Sequence, residues 1–117
     1  MSYTVVEKDN RKYLKANSGT SIKSEDDVLD LIAACWESDV SNLMLFEDNL
    51  SAEFFKLSTG LAGQLMQKLI NYQIKAALII PDPEGLTDRF KEWALELNKG
   101  KEIRIFRTVT EAESWLK

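Results

Sequence analysis

The apolar positions change period several times along the chain, and each change marks an element. Tyr3 to Lys8 and Lys12 to Ala16 are short β-prone segments, and Asp9-Asn10 between them reads as a tight hairpin turn. Asn17-Ser18-Gly19-Thr20 is a loop. Ser24 then opens a helix. Glu25, Asp26 and Asp27 suit the positive end of its dipole, and Ser24 with Asp27 approximates a capping box. Val28, Leu31, Ile32, Cys35 and Trp36 follow at the spacing of one helix face. Leu43-Met44-Leu45-Phe46 is a continuous apolar run between Asn42 and Glu47-Asp48-Asn49, the pattern of a buried strand.

Ser51 reads as the N-cap of a turn carrying Phe54 and Phe55. The longest helix is expected from Ser58 or Thr59 to Tyr72. Leu61, Leu65 and Leu69 form its inner stripe, flanked by Ala62, Met66 and Ile70. Gly60 and Gly63 lack side chains, so close approach of another backbone is expected there. Ala76 to Ile80 is a further apolar strand, stopped by Pro81-Asp82-Pro83-Glu84-Gly85. The next helix puts Leu86, Phe90, Trp93, Ala94 and Leu97 on one face, and Asn98-Lys99-Gly100 ends it. Glu102 to Arg107 alternates at first, as a strand near an edge does. Thr110 and Glu113 suggest a capping box for a last helix, Glu111 to Leu116.

The order is a β-hairpin followed by alternating β-α units. It predicts an α/β fold with a mostly parallel five-stranded sheet and four helices, as one domain over residues 1–117. The unbroken apolar runs of the third and fourth strands argue for cover on both faces. Leu31, Leu45, Leu65, Ile79 and Phe90 are the expected core.

Composition removes several classes of function. The chain has 117 residues, enough to bury a core without staples, and a formal charge of -4, which argues against nucleic-acid binding. The longest apolar runs are of strand length, so no membrane span is expected, and the start shows no signal-peptide pattern. With one cysteine, Cys35, no intrachain disulfide is available, which fits a cytoplasmic setting. Cys35 lies on an apolar helix face and reads as a small core residue rather than a nucleophile. There is no histidine, which excludes Ser-His-Asp triads, Cys-His dyads and His-based zinc sites. No catalytic constellation and no cofactor motif is legible.

Two groups of residues bear on function. Glu47 and Asp48 follow one strand and Asp82 and Glu84 follow the next, where open α/β sheets bind ligands. Oxygen ligands there could hold Mg²⁺ or Ca²⁺, and turn chemistry explains the same residues. The aromatic set Trp36, Phe54, Phe55, Phe90, Trp93 and Trp115 could line a pocket or partner surface. Its helical spacing is that of core packing.

Phe55, Ser58, Thr59, Gly60 and Leu61 stand at the spacing of a segment of the STAS domain, the fold of bacterial anti-sigma factor antagonists and sulfate-transporter tails. There a Phe-x-Asp-Ser-Ser-Gly-Leu-like stretch starts the second helix. Leu57 stands here in place of the family's Asp. Glu111-Ala112-Glu113-Ser114-Trp115-Leu116 also looks like the last helix of the SpoIIAA-like branch. The whole chain is similar to a family of small bacterial proteins known as a domain of unknown function. The resemblance implies a STAS-like, non-catalytic regulatory domain that binds a protein partner, with Ser58, Thr59 and Gly60 at the contact surface and a hydroxyl there open to phosphorylation. A phosphate at a helix N-terminus is favoured electrostatically, and a plain N-cap is the competing reading. A homodimer fits the same picture. The rival class is a small-molecule- or metal-binding protein, or an enzyme, that uses the acidic loops.

Overall fold

The computed structural model describes residues 2–56 and 59–116. Its centre is one five-stranded sheet whose spatial order follows the chain, β1-β2-β3-β4-β5. Strand β1 (Tyr3–Lys8) pairs antiparallel with β2 (Arg11–Ala16). Asp9 and Asn10 join them with φ values of 53° and 65°. Two successive left-handed residues match the twist of a two-residue hairpin, and Asp and Asn tolerate that region better than most residues. Strands β3 (Asn42–Phe46), β4 (Lys75–Ile79) and β5 (Ile103–Phe106) then add in parallel.

Each parallel step needs a crossover, and right-handed crossovers made in one direction put their helices on one face. Helix α1 (Glu25–Glu37) joins β2 to β3. The short α2 (Ala52–Phe55) and α3 (Leu61–Tyr72) join β3 to β4, and α4 (Asp88–Leu97) joins β4 to β5. The main core lies beneath them and contains Leu31, Leu43, Leu45, Phe54, Leu65, Leu78 and Phe90. Helix α5 (Val109–Trp115) folds back over the other face, against β4 and β5. There Met44, Ala77 and Ile79 meet Ala112 and Leu116. Alternate residues of β3 and β4 therefore serve two cores, which is why both strands are apolar throughout. The five expected core residues are all buried.

Local chemistry fixes the helix starts. Ser24 accepts from the Asp27 amide at 3.4 Å, and the Asp27 carboxylate accepts the Lys23 amide at 2.8 Å. Ser51 accepts from the Phe54 amide and Thr87 from the Phe90 amide. The last helix departs from expectation. Its N-cap is Thr108, which accepts from the Glu111 amide and donates to the Glu111 carboxylate at 3.0 Å. Thr110 and Glu113 offer the same pattern two residues on, but Glu113 is drawn away to the β-hairpin. At the sheet edge, Asn98 Oδ1 accepts the Ile105 amide at 2.9 Å and closes part of β5 to further pairing.

Helices α1 and α3 end alike. Asp39 (φ 55°) and Gln73 (φ 56°) are left-handed. Beyond them the Val40 amide donates to the Cys35 carbonyl at 3.0 Å, and the Ile74 amide to the Leu69 carbonyl at 2.9 Å. Both are Schellman motifs, and each tucks an apolar residue under the helix end. Trp36 is not part of the core: it stands beside the end of α1, about 100° round from the buried Cys35, and is 82% exposed.

Candidate functional site

The start of α3 is built on Phe54 and Phe55. Phe54 is fully buried, and both rings pack against Phe90, with centroids 6.2 and 5.1 Å away. Ser58 and Leu57 lie outside the described residues. The Thr59 side chain is exposed, yet its hydroxyl is engaged: it lies within donating distance of the Glu53 carbonyl (2.7 Å) and the Lys56 carbonyl (2.9 Å), and accepts from the Leu61 amide at 3.3 Å. Thr59 thus closes the α2–α3 connection on itself. Gly60 is the N-cap residue, with φ 78°, a conformation that favours glycine. The expected close backbone approach is not found: a Cβ at Gly60 or Gly63 would meet open space. Glycine at position 60 answers to backbone conformation, and position 63 faces solvent.

The acidic loops follow β3 and β4 as expected, and each has a local structural use. Glu47 and Asp48 lie in a 3-10 turn ending at Asn49. Asn49 is buried and was not singled out by the sequence pattern. Its Oδ1 accepts the Phe46 amide at 2.8 Å, and its Nδ2 donates to the carbonyls of Asn17 (3.1 Å) and Thr20 (2.9 Å). It ties the end of β3 to the β2–α1 loop. A short amide side chain beside a turn is the type that bonds backbone in this way, and that is the only local signal for it. Asp82 accepts the Glu84 amide at 3.2 Å, and Glu84 pairs with Lys91 at 3.5 Å. Among the described residues no three acidic or cysteine side chains converge as a metal site.

A third region takes one member of the aromatic set, Trp36, out of the core and onto a surface that no local motif marks. The ends of α1 and α3 border an open groove of about 540 Å³. Trp36 and the 54% exposed Tyr72 line it, with Ile32, Val40 and Ile74 supplying apolar surface and Glu37 and Asp39 the charge. The Schellman ends shape the groove, because Val40 and Ile74 are the residues they tuck in. Helical spacing placed Trp36 with the core set and gave no sign of where α1 leaves its covering.

On the opposite face a polar clasp holds α5. The Tyr13 hydroxyl donates to Glu113 Oε2 at 2.7 Å, Lys8 Nζ lies 3.1 Å from Oε1, and Arg11 donates to the Glu113 carbonyl at 3.2 Å. Burial, and then the hydrogen bond to Glu113, push the Tyr13 pKa up to about 12. The Tyr13 hydroxyl, and then Lys8, hold the Glu113 carboxyl below its usual range. On the main-core side, burial pushes the Cys35 thiol up to about 12, where it is a poor nucleophile. Trp115 is half-buried beside Phe106, with the Lys75 ammonium 4.4 Å from its ring centre.

With this architecture in view, residues 8–116 match DUF4180, a domain of unknown function. The chain belongs to that family. No curated protein and no solved structure matches it. Among the described residues no helix is long and apolar enough to cross a membrane.

Proposed function

We propose that this protein is a STAS-like, non-catalytic domain of bacterial regulation that works by binding a protein partner. The observation that carries the reading is the exposure of Trp36 beside Tyr72. An indole left 82% in solvent costs hydrophobic free energy that burial elsewhere in the fold could have recovered. Exposed Trp and Tyr over an apolar floor are the residue types that anchor protein interfaces. The test is affinity capture from the native cell with wild-type protein and Trp36→Ala. A partner retained by the first and lost by the second, at equal melting temperature, supports the reading. Equal capture by both removes the groove from it.

The start of α3 is a second contact region in this proposal, with Ser58, Thr59 and Gly60 as its residues. One observation favours a switch there. The Thr59 hydroxyl is the donor to Glu53 and Lys56, so a phosphate on it would remove that donor and release the connection between α2 and α3. Thr59→Val, which removes the donor without adding charge, separates the two effects. Loss of partner affinity in Thr59→Asp but not in Thr59→Val marks a charge-sensitive surface. Equal loss in both marks a loop that only needs its hydrogen bonds.

A further inference from the structure

We infer that the groove between the ends of α1 and α3 receives a basic segment of the partner, with lysine or arginine side chains set between apolar ones. This deepens the protein-binding reading and rests on it. Four features converge on a cation. Glu37 and Asp39 line the groove and make no side-chain hydrogen bond or ion pair among the described residues. The negative ends of two helix dipoles flank it, and neither α1 nor α3 has a basic residue in its last turn to compensate them. Trp36 and Tyr72 present aromatic surface, over which a guanidinium or ammonium is attracted by the ring quadrupole.

The fourth feature extends beyond the groove. From Ser24 to Phe55 the chain has no lysine or arginine, although this stretch holds nearly half of its 19 acidic residues. Along the exposed side of α1, Leu29, Ala33 and Trp36 recur at i, i+4 and i+7, bordered on one side by Asp26, Asp30 and Glu37. That is an apolar stripe with an acidic border, running away from the groove. A segment that puts one cation between the helix ends can lay apolar residues along the stripe and further cations against that one acidic border.

A second copy of this chain, packed groove to groove, fits less well. The basic side chains of the neighbouring surface across Ile74 are Lys75, Lys101 and Arg104. Lys75 already donates to the Trp115 carbonyl at 3.0 Å, and Arg104 to the Gly100 carbonyl at 3.2 Å, which leaves Lys101 as the exposed cation of the three.

The experiment screens wild-type protein against a positional-scanning peptide library, then measures the selected peptides by fluorescence polarisation. Lysine or arginine beside apolar residues should be enriched. Affinity should fall with added salt, and roughly tenfold or more in Trp36→Ala and in Glu37→Lys, as for loss of an interface anchor. Residues 36 and 37 are both exposed, so melting temperatures should hold. Selection of acidic or purely apolar peptides overturns the inference, as does binding indifferent to Trp36→Ala. Sedimentation that shows a dimer dissolved by Trp36→Ala overturns it in favour of a second copy. Capture from cells separates the two levels. A Trp36-dependent partner that binds through a segment without cations ends this inference and leaves the protein-binding reading standing. No Trp36-dependent partner and no selected peptide end both.

Discussion

Tyr13, Lys8 and Glu113 meet at one carboxylate, and the three do not contribute equally. The Tyr13 hydroxyl is in a buried residue and its bond is short, whereas the Lys8 side chain is 60% exposed. Removing a buried donor from a charged acceptor costs about 1–3 kcal/mol; an exposed ion pair is worth about 0–1 kcal/mol. Tyr13→Phe should therefore destabilise by about 1 kcal/mol or more, and Lys8→Ala by less than half as much, in urea unfolding at neutral pH. Equal losses would show the charge, not the hydroxyl, to be the tie. Glu113 also sets an acid dependence. Its folded pKa is lowered, so its contribution is present above the ordinary glutamate range and is lost as pH falls through the folded value. Cys35 is inert for a different reason: it is wholly buried, and among the described residues no cation stabilises its thiolate. A thiol reagent should label the native protein slowly and the unfolded protein fast. Rapid native labelling would mean that the end of α1 opens well below the global unfolding free energy.

At the scale of elements, the two Schellman ends invite a direct test. Gln73 holds a left-handed φ of 56° that costs an L-residue roughly 1 kcal/mol and glycine almost nothing. Gln73→Gly should raise stability by about 0.5–1 kcal/mol, and Gln73→Ala should lower it, by thermal melts of both variants. A fall in both would locate the value of Gln73 in its side chain. These ends also show what the sequence could and could not reveal. The hairpin, the three long helices and the short last one, the apolar strands and the mostly parallel sheet were legible because each rests on a local period or a turn residue. Ser51 as a cap was legible for the same reason. The cap of α5 was not, since Thr108-x-x-Glu111 and Thr110-x-x-Glu113 read alike until Glu113 is seen bonded to Tyr13. The exposure of Trp36 was hidden because periodicity gives a face but not how far its cover extends. Asn49 was hidden because its partners, Asn17 and Thr20, lie some thirty residues earlier. The candidate groove belongs to this second kind, assembled from two helix ends that no local motif connects.

At the scale of the whole molecule, three weak acids share one response to pH. Burial, with lesser contributions from neighbouring groups at the tyrosines, pushes Tyr3, Tyr13 and Cys35 each up to about 12. Their unfolded values are 10.0 for the tyrosines and 9.0 for the thiol. The raised folded values favour the protonated native state, so the associated stability is intact below the unfolded values and declines as pH rises toward 12. Unfolding free energy should fall steeply across that window, with a shallower slope in Tyr13→Phe. An unchanged slope would mean that Tyr13 ionises freely in the folded protein. The order of the sheet bears on how this molecule comes into being. Because spatial order repeats chain order, no strand has to be inserted between two that have already paired. As the chain leaves the ribosome, β3, β4 and β5 can each dock on a waiting edge, with a single crossover as the loop to be closed. Growth by addition at one end also has a stop. Once β5 is in place Asn98 occupies its Ile105 amide, and α5 then arrives to cover the face that the growing sheet had left bare. The interval between β4 and α5 is when Met44, Ala77 and Ile79 stand open to water, and it is the step at which a newborn chain should be most prone to aggregate.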